Sequence, residues 1–276
     1  LLGGWAPKEP QQSRYQATFL ELFDTVPTIV GYAPSEEAFR ETSEAIHHAL
    51  ASYHQLFDIY NTYPGVVNLK TLNESAGIAP VEVDGKIMEL LKFCREVYDA
   101  TAGKVNIAMG SVLQLWHEAR EDGIADPANA KLPEEAALEE AARHTDLSQL
   151  ILDEEAGTVF YADPQMQLDV GAIAKGYALE QVCKTAPEGL LISVGGNVRA
   201  TGAKPDGGSW VVGIQNPTGE EGYLHTVEVQ DISVVTSGDY QRYYTVDGVS
   251  YHHIIDPETL YPGRLWRAVT VLCPDS

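Results

Sequence analysis

The residues best suited to do chemistry in this chain are Asp169-Val170-Gly171-Ala172-Ile173-Ala174-Lys175-Gly176-Tyr177-Ala178. Met166 to Val170 reads as a strand that delivers a carboxylate to a Gly-Ala turn. Ile173 to Lys184 reads as the helix behind that turn. A small turn lets backbone approach a ligand, a helix start favours anionic groups, and Lys175 adds a charge in the first turn. Asp169 and the bare carbonyls could also meet a hard cation. A nucleotide bridged by a divalent metal suits both halves. Neither G-x-x-x-x-G-K-[ST] nor G-x-G-x-x-G occurs, so the phosphate-handling reading rests on neither common motif.

Further short constellations follow it. Ser193-Val194-Gly195-Gly196-Asn197 ends an apolar run with paired glycines, either a turn needing positive φ or a place where backbone meets a ligand. Thr236-Ser237-Gly238-Asp239-Tyr240 ends another with hydroxyls and a carboxylate. His252-His253-Ile254-Ile255-Asp256-Pro257 sets a histidine three residues before an aspartate at a proline-limited turn. A histidine can act as general base, and Asp256 could orient it or bind metal. Adjacent side chains in a strand point opposite ways, so only one of His252 and His253 can face a shared site.

The elements that must position these residues are legible in outline. Ala17 to Tyr32 is β-like, with Pro27 at a bulge or edge. Ser35 to Tyr60 is a long amphipathic helix capped by Ser35, and Gly85 to Ala100 repeats the helical period. Ser111 to Ala119 predicts a short helix, 121–133 a loop, and Glu134 to His144 an alanine-rich helix. Leu150–Leu152 and Thr158–Tyr161 predict a hairpin. Strands are expected at Leu190–Val194, Trp210–Ile214, Thr226–Val229, Ser233–Thr236, Gln241–Val246, Val249–Ile255 and Ala268–Leu272. Asp247-Gly248 is a hairpin turn. Helices crowd the first half and strands the second, so the fold class is α+β, with mostly antiparallel sheets carrying packed helices. Residues 1–16 read as a tether and 17–276 as one domain.

Composition narrows the partners. Forty acidic residues against eighteen basic ones give a net charge of −22. That argues against nucleic acid and against docking on anionic lipid. An anionic substrate must be met locally, by backbone N–H groups, a metal or a few placed cations. The three cysteines, Cys94, Cys183 and Cys273, are too few and scattered for a disulfide framework or a zinc site.

Taken together and in order, D-V-G-A-I-A-K-G-Y-A, S-V-G-G-N-V-R-A, T-S-G-D-Y-Q-R-Y and H-H-I-I-D-P-E-T-L-Y-P resemble the ApbE family of flavin transferases. The resemblance runs from about Phe19 to Ser276 and includes T-A-G-K-V-N-I-A-M-G-S-V-L-Q-L-W. It implies an extracytoplasmic, often lipid-anchored enzyme that uses FAD and Mg²⁺. Such an enzyme attaches FMN, through its phosphate, to a Ser or Thr of an acceptor flavoprotein and releases AMP. It implies that Asp169 and Lys175 contact the flavin dinucleotide, that the Ala172 carbonyl is a metal ligand, and that Ile255 touches FAD. It makes His253 the catalytic histidine, and Val105, Asn106 and Phe23 fall at flavin-contact positions. FAD is expected where the Asp169 turn, the Gly195-Gly196 turn and the His253 strand end meet.

Three departures from the family pattern matter. Met-Gly-Thr is here Phe23-Asp24-Thr25, Asp-Pro-Thr is Asn106-Ile107-Ala108, and the metal-binding Ala-Asp-Ala-x-x-Thr-Ala segment expected after Cys273 does not appear before Ser276. A cation held by Ala172 alone would bind weakly, so this chain is expected to bind FAD and turn it over slowly. The rival readings are an Mg-dependent FAD pyrophosphatase, with water in place of the protein hydroxyl, and a non-catalytic FAD-binding protein.

Overall fold

The computed structural model describes residues 12–20 and 22–276. The part of the expected tether at 1–11 lies outside them. β1 (Ser13–Thr18) begins inside the stretch read as tether and pairs antiparallel with β2 (Thr28–Ala33). The single β-like run expected over 17–32 is therefore broken in the middle. Leu22 and Thr25 bridge each other across Phe23 and Asp24, and this tight turn occupies the interruption.

α1 (Glu36–Phe57) starts where Ser35 accepts the Ala38 N–H at 3.2 Å. It buries Phe39, Ile46, Leu50 and Phe57 along one face. α2 (Leu69–Glu74) is too short to show a helical period in sequence and is nucleated by a reciprocal Asn68–Thr71 cap. β3 (Val81–Glu82) precedes α3 (Gly85–Ala100), which has the expected bounds. α4 (Gly110–Ala125) runs farther than expected, into the stretch read as loop, and α5 (Glu135–Ala142) follows. β4 (Leu150–Asp153) and β5 (Thr158–Tyr161) form the expected hairpin, with β3 on its far edge.

α6 (Ala174–Cys183) leads into β6 (Leu190–Val194) and β7 (Asn197–Ala200). β7 escapes the sequence pattern because Arg199 interrupts its apolar residues. Arg199 is nearly buried, paired with Asp231 at 2.8 Å and Glu180 at 3.6 Å. β8 (Trp210–Gln215) pairs with β9 (Tyr223–Val229), and β10 (Ser233–Gly238) precedes the hairpin of β11 (Tyr243–Val246) and β12 (Val249–His252). β13 (Ala268–Cys273) pairs with β10.

The central sheet has the order β1-β2-β6-β7-β10-β13, with every neighbouring pair antiparallel. Alternation along β2 explains the layering. Ile29 faces the helical core with Leu50, Leu90, Leu91, Leu179 and Ile192, while Val30 faces the β8–β9 hairpin through Trp210, Val212 and Val229. A third apolar cluster joins α4 and α5 to β11 through Val112, Trp116, Leu138 and Tyr244. The fold class is α+β as expected.

Met166–Val170 is not a strand. Among the described residues its only bridge is a single one, Met109 with Gln167. The alternating burial of Met166, Leu168 and Val170 is real, but a side chain replaces the neighbouring strand. Asn73 Oδ1 accepts the Leu168 N–H at 2.8 Å, and its amide donates to the Leu168 carbonyl at 3.0 Å. The next N–H, of Asp169, donates to the Ile107 carbonyl at 2.8 Å.

Candidate active site

Asp169 leaves this strapped segment and folds back on its own turn, its Oδ1 accepting the Gly171 N–H at 2.7 Å. Burial raises its pKa above the ordinary carboxylate value, against the pull of that hydrogen bond and of Lys175. Lys175, one residue into α6, is shifted down, first by burial and then by the like charge of Arg242. Ala172 is exposed, and its carbonyl accepts no hydrogen bond among the described residues. A free carbonyl at the start of a helix can ligate a cation, but the described residues contain no cluster of three His, Cys, Asp or Glu able to hold a metal.

The Gly195-Gly196 turn closes the β6–β7 hairpin beside this helix start. Gly195 is left-handed at φ 64, and a Cβ there would come within 3.1 Å of Thr25 Oγ1. A Cβ on Gly196 would press into the Thr236 carbonyl oxygen, so the second glycine is demanded by the close approach of β10. Thr25 in turn belongs to the Phe23-Asp24 turn. Both of its central residues are left-handed, at φ 53 and 55, a conformation unusual for an aromatic residue. Phe23 N–H donates to His54 Nδ1 at 3.2 Å, and the two rings meet edge-on at 5.2 Å.

Arg242 connects the turn to the histidine. Its Nη2 lies 3.5 Å from the Asp24 carboxylate and 3.4 Å from the Asp24 carbonyl oxygen. Its own carbonyl oxygen receives the His253 N–H at 3.1 Å and His253 Nδ1 at 3.3 Å. The His253 ring keeps an exposed edge, yet the surrounding protein, then the charges of Arg242 and Lys175, push its pKa down to about 4. It is therefore neutral at pH 7. With Nδ1 committed as a donor, Nε2 is the nitrogen with a free lone pair. His252 points the other way. It is buried, with Nε2 on the Gly263 carbonyl at 2.6 Å and Nδ1 accepting the Ile254 N–H at 3.2 Å.

Asp169, Lys175, Gly195, Gly196, Phe23 and His253 are thus drawn to one end of the fold. Lys175 feels Asp169, Asp24 and Arg242, and His253 feels Lys175 and Arg242. Asp256 does not orient His253. Its Oδ1 accepts the Glu258 N–H at 2.8 Å, and its N–H donates to the Tyr261 carbonyl, so the proline-limited turn consumes it. Ile255 sits in that turn, bridged to Pro262, and packs against the third apolar cluster. The turn is tied to the loop carrying Val105 and Asn106 by a Lys104–Glu258 ion pair. The Asn106 amide makes one hydrogen bond of 2.9 Å at each end, to the Thr145 carbonyl and from the Ala108 N–H. Its place is beneath Asp169, fixing the segment whose Ile107 carbonyl holds the Asp169 N–H.

Sequence reasoning passed over Arg242, Asp24 and Tyr60. Arg242 lies in the T-S-G-D-Y-Q-R-Y run, and a lone cation in a chain of net charge −22 was the available signal. Tyr60 lies 5.1 Å from the His117 ring, and the protein around its hydroxyl, then Asp169 and Asp24, raise its pKa. Two cavities, of about 270 and 240 Å³, lie elsewhere, against the 258–261 turn and between α1 and α6.

This α+β fold is that of solved flavin-transferase-family structures. The chain matches the ApbE protein of Thermotoga maritima with a TM-score of 0.81 at 30% identity, over 95% of this chain and 82% of that one. The flavin transferase ApbE from Vibrio cholerae shares the fold with a TM-score of 0.78 at 22% identity, over 96% and 83% of the two chains. Residues 23–276 match the ApbE family, and the chain belongs to it. Its curated relatives include proteins named FAD:protein FMN transferase. That of Treponema pallidum is 37% identical over 75% of this chain, and one of Klebsiella pneumoniae 32% over 74%. The match spans 61% and 63% of the length of those relatives.

Proposed function

We propose that this chain is the core of an FAD:protein FMN transferase, moving FMN from FAD to a Ser or Thr hydroxyl of an acceptor flavoprotein. The observation that carries the reading is His253, held neutral with Nε2 free, beside the cations of Lys175 and Arg242. The acceptor oxygen attacks the FMN-side phosphorus of FAD, and its proton passes to His253 Nε2. The P–O bond to the AMP phosphate breaks, and AMP leaves. Lys175, Arg242 and the start of α6 supply positive potential where charge gathers on the transferring phosphate. Asp169 and Phe23 face the same end of the fold, where the dinucleotide is expected.

Magnesium dependence is part of the proposal. The described residues do not make a magnesium site by themselves. They offer the Ala172 carbonyl and no acidic cluster, whereas a magnesium ion wants octahedral oxygen ligands, often from substrate phosphates and water. No step above passes through the ion. We also propose an extracytoplasmic, membrane-anchored location. It rests on the resemblance alone. No helix among the described residues is long and apolar enough to cross a membrane. Fractionation of cells producing the full gene product checks it.

The test of function is incubation of the protein with FAD, Mg²⁺ and a Thr-containing acceptor, followed by intact-mass analysis. The expected product is the acceptor carrying one FMN, which should not form when EDTA is present during the incubation. Free FMN with AMP and no labelled acceptor would mean that water, not a protein hydroxyl, meets His253, and the pyrophosphatase reading would replace this one.

A further inference from the structure

We propose that Asp24 is the internal counter-ion of an anion subsite centred on Arg242, and that a substrate phosphate displaces it on binding. The inference deepens the transferase reading and rests on it for the identity of the anion.

The geometry begins in the turn. Leu22 and Thr25 exchange backbone hydrogen bonds of 2.9 and 3.0 Å, which leaves Phe23 and Asp24 as the two central residues. Both take positive φ, a strained choice for Phe and a tolerated one for Asp. The Phe23 N–H is pinned by His54. The turn therefore has a fixed orientation, which presents both the carbonyl and the carboxylate of Asp24 to one nitrogen of Arg242, at 3.4 and 3.5 Å. Among the described residues Arg242 has no other acidic partner. Lys175 makes no ion pair among the described residues, and Asp24 and Asp169 both favour its charged form.

The pair is built to open. The Asp24 side chain is 70% exposed and that of Arg242 37%. An exposed ion pair is worth little, because water screens it and the long side chain loses freedom in it. A diphosphate brings more charge and more acceptor oxygens than a carboxylate, and a guanidinium binds such groups in its fork. The exchange leaves the hydrogen bonds from the His253 N–H and Nδ1 to the Arg242 carbonyl untouched, so the base keeps its place while the guanidinium changes partner.

The experiment is calorimetric titration of the protein with inorganic pyrophosphate and, separately, with FAD, at fixed ionic strength. Asp24→Asn is the informative variant, because asparagine keeps the shape and accepts the left-handed backbone. Asp231→Asn is the control for net charge, since Asp231 is an exposed acid paired with Arg199. Asp24→Asn is expected to bind pyrophosphate about two- to fivefold more tightly, with Asp231→Asn unchanged. In an Arg242→Gln background the gain should shrink towards none. Unchanged or weaker binding by Asp24→Asn overturns the proposal, as does an equal gain in Asp231→Asn, or no pyrophosphate binding by any variant. Thermal melts check that the variants are folded. If FMN transfer is absent but the Asp24→Asn gain is present, the transferase reading fails and the subsite stands. If transfer is present without the gain, the subsite alone fails.

Discussion

His253 and Arg242 are joined through a single oxygen. The Arg242 carbonyl accepts both the backbone N–H and Nδ1 of His253, at 3.1 and 3.3 Å, while the Arg242 guanidinium repels a proton on the same ring. One residue thus sets the tautomer of the imidazole and helps keep it neutral. The surrounding protein supplies the larger share of that effect and Arg242 the next.

The pH dependence follows from the sign of this shift. An unfolded histidine titrates near ~6.5, and His253 in the fold at about 4. Between these values the unfolded chain takes up a proton that the native one refuses, so His253 costs the fold stability as pH falls through that window and adds nothing above it. The base form persists through the same window. The acid limb of kcat/KM for FMN transfer should therefore lie well below the ordinary histidine range. Arg242→Gln should move it upward. A limb at ordinary imidazole pH in the unaltered protein would remove His253 as the base.

The two adjacent histidines should separate cleanly. His253→Ala removes the base and is expected to lower FMN transfer by about 10²–10⁴, with FAD binding largely kept. His252→Ala leaves the Ile254 N–H and Gly263 carbonyl without their partner. It should cost about 1–3 kcal/mol in stability, read from urea unfolding, with residual activity per folded molecule near that of the parent. Similar activity losses in both would defeat the assignment.

The contrast between these histidines was expected from strand alternation over 249–255, although β12 ends at His252 and His253 lies just beyond it. α1 and α3, whose apolar period is long, were legible in sequence, as was the Ser35 cap of α1; the Asp84 cap of α3 appears only in the structure. What sequence could not give was partnership across the chain. Asn73 stands in for a strand along Leu168 through hydrogen bonds spanning 95 residues. Asp256, three residues from His253, looked like its orienter and instead closes its own turn. Asp24 and Arg242 are 218 residues apart, so no local pattern joins them. Their pairing depends on a two-residue turn with an aromatic at positive φ, which composition argues against.

Gly196→Ala tests the close approach of the β6–β7 turn to β10. The added methyl would press on the Thr236 carbonyl oxygen, which is backbone and cannot rotate away. Thr236 N–H donates to the Gly196 carbonyl at 2.8 Å, so separating the strands also strains that bond. The expected loss is about 1–3 kcal/mol, measured by denaturant unfolding, together with weaker FAD binding. Gly157, a left-handed turn glycine with open space around it, is the contrasting site. There alanine should cost only its backbone strain, leaving FAD affinity unchanged.

Asn73 supports the site without touching a ligand. Its Oδ1 accepts from Leu168 N–H and from the buried Tyr161 hydroxyl at 3.2 Å, and its amide donates to the Leu168 carbonyl. Leu168 is fully buried, so water cannot replace these bonds without opening the core. Asn73→Ala should destabilise the protein by about 1–3 kcal/mol. It should also loosen the segment that carries Asp169, so FAD affinity should fall in the folded protein at temperatures well below the melt. Asn73→Asp keeps the acceptor oxygen for Leu168 N–H and Tyr161 but loses the donor to the Leu168 carbonyl. It buries a carboxylate as well, so it should not rescue the fold. The measurements are urea unfolding and FAD titration of each variant. A loss in Asn73→Ala below about 0.5 kcal/mol, the ordinary range for a surface change, would show that the 166–170 segment holds its shape without the Asn73 strap. Asp169 would then be positioned by the Ile107 carbonyl and by its own turn to the Gly171 N–H.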